Sequence, residues 1–496
     1  MPGLARATKR AVHPPLGGRS VRFAAHLAVA AALAALGVAA PAVHAAAPHP
    51  NVIVIETDDQ TVADMQSMPT TQHLIADQGV TFDNSFVSES QCCPSRATFL
   101  TGQYAHNHGV LTTQPPFGGY PAFNPSETLA VWLQRAGYDT ALVGKYLNKY
   151  GADDRTVVPP GWTTWNGLLG RTVYSYEGFF LNTNGLVTFH RYGYQTDVLT
   201  TLSQGIIKSH AHSAKPLFLW LTYVAPHQGW PRDLLDPRLP TPHPSPLFAG
   251  DMLGTQMPKT PDYNEADVSD KPAYIRKLPP LGPDKKWAVT QAWRQRQESL
   301  QSVDDGVERL MRTLRQTGML DNTLVVFTSD NGFMQGEHRV PTGKILPYEP
   351  SIRVPLMMRG PGLPQGVHRN QLVWNGDLAP TILDATGTHP PTAPHALDGM
   401  SVLPFAHDAT ASSDRVILLE APPATKSNAT PRFVGLRTPH YAYVEYLDGE
   451  RELYDLQADP YELDNRASDP AFAGVVTQLS RQLAALRYCR GEECRR

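Results

Sequence analysis

Apolar positions in this chain fall into two alternating rhythms. Short unbroken runs at residues 52–55, 142–143, 217–221 and 324–327 are bounded by turn-forming residues, the pattern of strands buried on both faces. Between them the spacing lengthens to three and four. Leu129, Trp132 and Leu133 recur before a turn at Gly137, and Leu300, Val303, Val307, Leu310 and Leu314 form one apolar stripe. Strands interleaved with amphipathic helices predict an α/β domain around a largely buried sheet. From residue 417 the rhythm changes again. Alternating runs at 433–436 and 441–446 predict a small antiparallel sheet, closed by a helix over 470–488. Residues 231–286 are rich in proline, aspartate and glycine without periodicity, too long for a simple connection, and read as a loop-rich insertion near the site. There is no internal repeat.

Each of the four buried runs is followed by polar residues: Asp58 and Asp59, then Lys145, then His227, then Asp330 and Asn331. Ligands of open α/β sheets bind beyond the carboxyl ends of the strands, so these residues converge on one crevice. Three carboxylates and an amide oxygen make a hard, oxygen-only donor set suited to calcium or magnesium. An isolated Asp-Asp is more often a cap or a turn; here Asp58-Asp59 ends one buried strand and Asp330-Asn331 ends another. Asp304 and Asp305 lie within the long helical stripe and read as solvated or capping.

With 496 residues, 41% hydrophobic and 18% charged, the chain has room for two domains and the balance of an ordinary globular protein. A net charge of -3 gives no argument for nucleic-acid binding. At the N-terminus Lys9, Arg10, Arg19 and Arg22 precede an apolar, alanine-rich run over 23–40, with Val43 and Ala45 placed like the -3 and -1 residues of a signal-peptidase site. Residues 1–45 therefore read as a secretory signal and the mature protein as secreted or extracytoplasmic. The alternative is a retained membrane anchor, since the run approaches the roughly 18 residues of a spanning helix. No later segment is apolar enough to span. Of the four cysteines, Cys489 and Cys494 read as a short-loop disulfide of an exported protein, and they supply too few ligands for structural zinc.

The other cysteines stand in Cys92-Cys93-Pro94-Ser95-Arg96, followed by Ala97-Thr98-Phe99-Leu100-Thr101-Gly102. By itself such a pair could be two buried thiols before a Pro-Ser turn. Its companions follow in order: NVIVIETDDQ from Asn51, Gly144-Lys145-Tyr146-Leu147-Asn148, Ala225-Pro226-His227, Thr328-Ser329-Asp330-Asn331-Gly332, Arg353-Val354-Pro355, Asp398-Gly399-Met400-Ser401 and Glu452-Leu453-Tyr454-Asp455-Leu456. Together they resemble the type I sulfatases over nearly everything after the signal, and within them most closely the N-acetylglucosamine-6-sulfatase and arylsulfatase branch. The resemblance implies an alkaline-phosphatase-like fold, a large mixed sheet flanked by helices, with a catalytic domain over 46–410 and a smaller C-terminal α+β subdomain over 411–496. It implies that a formylglycine-generating enzyme oxidises Cys92 to 3-oxoalanine, whose hydrate is the nucleophile, with Arg96 orienting the hydrate oxygens. Asp58, Asp59, Cys92, Asp330 and Asn331 match the metal-binding positions, and Lys145, His227 and Lys344 those that hold sulfate and assist the leaving group.

His227 is the first choice for general acid and Lys344 the second. Asn148 is a candidate contact to substrate or hydrate, although a neutral amide is a poor base. One departure stands out: many sulfatases carry a histidine two residues after the motif lysine, and this chain has Leu147. The base for sulfate elimination is therefore open, with His106 and His108 as substitutes or as packing residues. The implied substrate is a sulfated small molecule or glycan, of glycosaminoglycan type. Two other readings remain: a phosphoester or phosphonate monoester hydrolase on the same fold, and a non-catalytic glycan-binding protein.

Overall fold

Side-chain alternation along the apolar runs fixes the architecture. The chain is described by a computed structural model over residues 49–234, 236–389, 395–411, 414–423 and 431–495; the basic-apolar N-terminal segment and the cleavage site at Ala45 lie outside the described residues. Strands β1 (Asn51–Thr57), β2 (Asp139–Gly144), β3 (Leu217–Thr222) and β4 (Thr323–Ser329) lie in the order β4-β1-β3-β2, every neighbouring pair parallel. Val52 and Val54 of β1, Phe218 and Trp220 of β3 and Leu324 and Val326 of β4 enter one core, together with Phe99, Trp132 and Ile382. Ile53, Ile55, Leu219, Leu221, Val325 and Phe327 enter the opposite core, against Val303, Val307 and Leu310. Both faces are dry, which is why these strands read as continuous apolar runs. Each fully buried aliphatic side chain contributes about 1.5–3 kcal/mol relative to exposure.

Helix α1 (Cys92–Thr101) packs on the first face. Helices α2 (Gln195–His210) and α3 (Pro283–Gln316) pack together on the second. The sheet extends beyond β4 through Leu356–Arg359, Val80–Phe82 and Val367–Arg369, and beyond β2 through Thr164–Leu168, Phe179–Thr183 and Leu186–His190. Leu356–Arg359 and the last two strands pair antiparallel with their inner neighbours, so the ten-stranded sheet is mixed around a parallel centre.

The expected second sheet is present as four antiparallel strands, Ile417–Glu420, Phe433–Arg437, Tyr441–Tyr446 and Arg451–Asp455. Helix α4 (Ala473–Leu486) lays Val476, Leu479, Leu483 and Leu486 on it, in one core with Phe86, Tyr104 and Trp374 of the preceding chain. Residues 470–472 form a tighter turn capped by Asp469, whose side chain accepts from the Ala471 amide, so the α-helix proper starts three residues later than the pattern implies. Cys489 and Cys494 are disulfide-bonded. Before residue 283 the described residues of the insertion hold one four-residue helix, Ala273–Arg276. Helical order resumes at Pro283 rather than after residue 286, because Gly282 caps and Pro283 occupies the first helical position, where its fixed φ is pre-set and its missing N–H costs nothing. Among the described residues no helix is long and apolar enough to cross a membrane.

Four parallel strands end at one edge, and the join between β2 and β3 there is tight. Gly144 has φ 116°, and a β-carbon on it would lie 2.0 Å from the Thr222 carbonyl oxygen. The next residue is locked to the same threonine: the Lys145 amide donates to Thr222 O at 3.1 Å, and Thr222 Oγ1 donates to Lys145 O at 2.6 Å. Gly144→Ala is therefore expected to cost about 2–4 kcal/mol, through the clash and the left-handed backbone. Chemical denaturation checks this; an unchanged midpoint would mean that the β2–β3 junction yields easily.

Candidate active site

The crevice at the carboxyl edge contains the residues that the strand ends deliver. Asp59 has φ 69°, a left-handed conformation that aspartate tolerates better than most residues. It is held there from two sides: its amide donates to Asp330 Oδ1 at 3.1 Å, and its carbonyl accepts from the buried Arg296 of α3. Asn331 Nδ2 donates to Asp59 Oδ1 at 2.7 Å. One ligand atom from each of Asp58, Asp59, Cys92 and His227 lies within 4.8 Å of the others.

Arg96 ties these elements together. Fully buried on α1, it donates from Nε to Asp330 Oδ2 at 2.8 Å and from Nη1 to Lys145 O at 2.9 Å, and it lies 3.2 Å from Glu56 Oε1 and 3.9 Å from Asp58 Oδ2. One turn of helix separates it from Cys92, so both reach the same crevice. Ser95 donates to the Asp330 carbonyl and accepts from Asn375 Nδ2 at 2.8 Å, which fixes the helix against β4.

Cys92 opens α1 at the floor of a cavity of about 510 Å³ that Asn148, Tyr174, His227, Trp230, Arg232 and Lys344 help to line. Lys344 Nζ lies 2.8 Å from Cys92 Sγ and donates to Asp59 Oδ1, and Lys145 Nζ donates to Asp58 Oδ2. Burial, reinforced by Asp58, pushes the Cys92 thiol up to about 12, so this cysteine is a neutral thiol at neutral pH and no thiolate nucleophile. Burial would raise the Asp58 and Asp59 carboxyls, but Lys145 and Lys344 respectively, each helped by His227, outweigh it and hold both below the usual range. Burial would likewise favour neutral lysines. Asp58 reverses this for Lys145 and Asp59 for Lys344, and both ammoniums stay charged.

The His227 ring stacks on Tyr174 at 4.4 Å between centroids, and its Nδ1 sits 2.7 Å from the Gln228 carbonyl. A carbonyl only accepts, so Nδ1 carries the proton and Nε2 faces Asp59 Oδ2 at 3.8 Å. Burial lowers the His227 pKa despite Asp58 and Asp59, which makes its cation a ready proton donor.

The donor set passes a simple test as a cation site. Asp58 Oδ1 is buried without a hydrogen-bond partner, and beside the Cys92 thiol and the His227 ring the site holds the carboxylates of Asp58, Asp59 and Asp330 and the amide of Asn331, oxygen donors that suit a hard divalent ion. All the residues read from the strand ends are thus brought together, with Cys92, Arg96 and Lys344. The substitute bases are not. His106 is clamped between Glu420 Oε1 at 2.8 Å and the Cys489 carbonyl at 2.9 Å. His108 accepts from the Val110 amide and bonds Thr98 Oγ1 at 3.0 Å. Both are packing residues and neither lines the cavity. Leu147 is buried in the core. Asp304, read as solvated or capping, is a buried cap that accepts from the Thr70 and Thr71 amides.

Several residues escaped the sequence reading. Glu56 carried a signal, an acid inside an apolar strand: burial, only partly opposed by Arg96, pushes it up to about 7. Tyr174, Arg296 and Asn375 carried none, since each is recognisable only by what it meets in space. The insertion supplies Arg232, Pro240 and Thr241 to the cavity wall, whereas the C-terminal sheet supplies no lining residue among the described ones.

The family described as Sulfatase matches residues 50–388, and the one described as N-sulphoglucosamine sulphohydrolase, C-terminal, matches 336–488. An arylsulfatase of Volvox carteri is 32% identical over 93% of this chain and 78% of its own length. The N-acetylglucosamine-6-sulfatase of Homo sapiens is 30% identical over 90% of this chain and 86% of its own length. A solved complex of a protein with its substrate D-glucosamine-2-N,6-O-disulfate superimposes with a TM-score of 0.74, covering 88% of this chain and 97% of that one at 24% identity, a likeness of fold.

Removing Arg96 leaves Glu56, Asp58 and Asp330 buried without their shared cation. Arg96→Ala is expected to destabilise by about 3–5 kcal/mol, and Arg96→Lys by less, because one ammonium cannot reach every partner of the guanidinium. Urea titration of the two variants checks the order, and equal stabilities would contradict it.

Proposed function

Since this chain belongs to the sulfatase family, we propose that it is a sulfuric ester hydrolase acting on sulfate esters of the aryl or 6-sulfated N-acetylglucosamine type, with Cys92 oxidised to formylglycine as its nucleophile. The observation that carries this reading is the placement of Cys92 at the cavity floor, 2.8 Å from Lys344, beside an oxygen-rich cation site and beneath His227. A neutral thiol there is a poor nucleophile. An aldehyde hydrate at the same position supplies an oxygen nucleophile that can afterwards expel sulfate by re-forming its carbonyl, an escape that a serine ester lacks. Arg96 sets the floor on which that group stands. A bound calcium or magnesium ion would be held by Asp58, Asp59, Asp330 and Asn331 and supplies Lewis-acid polarisation of a sulfate oxygen.

Lys145 and Lys344, kept charged by their aspartates, supply fixed positive charge to the non-bridging oxygens as negative charge develops. His227, fixed by Gln228 and Tyr174, must enter the step as the cation: it gives the proton on its cavity-facing Nε2 to the leaving oxygen, keeps the Nδ1 proton on the Gln228 carbonyl, and ends in the neutral form that burial favours. A primary sugar alkoxide leaves poorly and needs that proton. An exported location for the protein is supported by the disulfide between Cys489 and Cys494.

The purified protein is expected to hydrolyse 4-nitrophenyl sulfate faster than 4-nitrophenyl phosphate. Cys92→Ala should abolish turnover while leaving the fold intact, and Cys93→Ala should keep most of it. Peptide mass analysis should show the aldehyde only at Cys92. Faster phosphate turnover, or equal loss in both variants, would overturn the assignment.

Metal removal gives a second test. Calcium or magnesium at about a hundredfold over its dissociation constant should stabilise the fold by roughly 2.7 kcal/mol, read as a rise in Tm, and Asp58→Ala or Asp330→Ala should remove the rise. Full activity in excess chelator after verified metal loss would refute the oxygen-ligand site.

A further inference from the structure

A second cavity, of about 450 Å³, adjoins the catalytic one. Gln114, Asn148, Tyr174 and Trp230 line both, so the two spaces share a wall. That wall is built to be shared: Asn148 Nδ2 donates to the Tyr174 hydroxyl at 2.9 Å, and Asn148 Oδ1 is buried without a partner. Trp230 is 60% exposed there, a flat apolar face of the kind on which a sugar ring can lie.

The second cavity is cationic. Lys145, committed to Asp58, stands at the shared end. Lys149 and Arg171 also line the cavity; both are exposed, and neither side chain has an ion-pair or hydrogen-bond partner among the described residues. No carboxylate is among the lining residues. Lys149 moreover has φ 67°, a conformation usually left to glycine or asparagine, so a long cationic side chain occupies a turn that disfavours it. Unpaired cations in a cleft without acids raise the local concentration of anions, and a guanidinium matches the planar or forked oxygens of carboxylate and sulfate. The reaction at Cys92 uses neither residue.

We propose that this cavity is a second anionic subsite, which takes a sulfate or carboxylate carried by the same glycan as the ester being cleaved. The inference rests on the sulfate-ester reading above and extends it: the preferred substrate carries two anionic groups, one presented to Cys92 and the other to Lys149 and Arg171, with the sugar ring crossing the rim at Trp230. The source of the second anion is either a sulfate on the amino group of the same sugar or the carboxylate of a neighbouring uronic acid.

The test compares wild type with the double variant Lys149→Gln/Arg171→Gln on four substrates: 4-nitrophenyl sulfate, N-acetylglucosamine 6-sulfate, glucosamine 2-N,6-O-disulfate, and a disaccharide of a uronic acid and 6-sulfated N-acetylglucosamine. The variant should raise KM about tenfold or more for one or both doubly anionic sugars, with kcat unchanged, and leave the two singly charged substrates within about twofold. A rise confined to the disulfate identifies the N-sulfate as the second anion; a rise confined to the disaccharide identifies the carboxylate. Unchanged KM for both doubly anionic sugars, or the same change on all four substrates, overturns the subsite. Should wild type cleave none of the four, the sulfate-ester reading fails on its own. Calorimetric binding of the disulfate and the disaccharide to both proteins then decides the subsite: tighter binding by wild type of either supports it, and equal affinity for both overturns it.

Discussion

Burying a guanidinium among carboxylates is the constraint from which the rest of the site follows. Arg96 is reached by Glu56 and Asp58 from β1 and its end, by Asp330 from the end of β4 and by the Lys145 carbonyl from the end of β2. Desolvating such charges is costly, and the cost is offset only where partners are fixed in good geometry. The parallel strands provide that fixity because their ends are held by sheet hydrogen bonds and by two dry cores, rather than by the mobile parts of loops. Stability and site geometry are therefore coupled through one side chain: an element that slipped along the sheet would unpair a buried charge.

The same accounting explains why the centre suits an anion only when a cation joins it. Four buried carboxyls, Glu56, Asp58, Asp59 and Asp330, face three lasting cations, Arg96, Lys145 and Lys344. Burial relieves part of the imbalance by pushing Glu56 up to about 7. A divalent ion among the aspartates would turn the balance positive, and the lysines now paired with Asp58 and Asp59 would become available to sulfate oxygens. On this reading the ion pairs of Lys145 and Lys344 keep the aspartates charged, and so keep them competent as ligands.

The sheet was legible because burial on two faces leaves a mark that survives without an alignment: short apolar runs at the right separation. The crevice was legible for a related reason, since polar residues directly after such runs have one edge of the sheet available to them. The four-stranded C-terminal sheet followed from alternation in the same way, while the start of α4 and the end of the insertion shifted by a few residues, where capping rather than hydrophobic rhythm sets the boundary. Tyr174, Arg296 and Asn375 escaped because their roles depend on tertiary contacts from loops and a long helix. His106 and His108 misled in the opposite direction. Proximity to Cys92 in sequence placed them as candidates, but the helix between carries the chain away, and both nitrogens of each ring are occupied by packing partners.

Loop and strand thus divide the chemistry. Residues at strand ends supply what any sulfate ester requires: carboxylates, fixed cations and a nucleophile on a buried helix. The walls of the two cavities come instead from the turn after β2, the short helix over Gly170–Tyr174 and the insertion that begins at Pro231. Tyr174 belongs to both groups. Its ring fixes His227 by stacking and lies 5.0 Å from the Lys145 ammonium, while its hydroxyl accepts from Asn148 on the wall of the second cavity. Tyr174 thus touches the proton donor on one side and the wall of the second cavity on the other. Leu147 packs into the core, and its neighbour Asn148 lines both cavities.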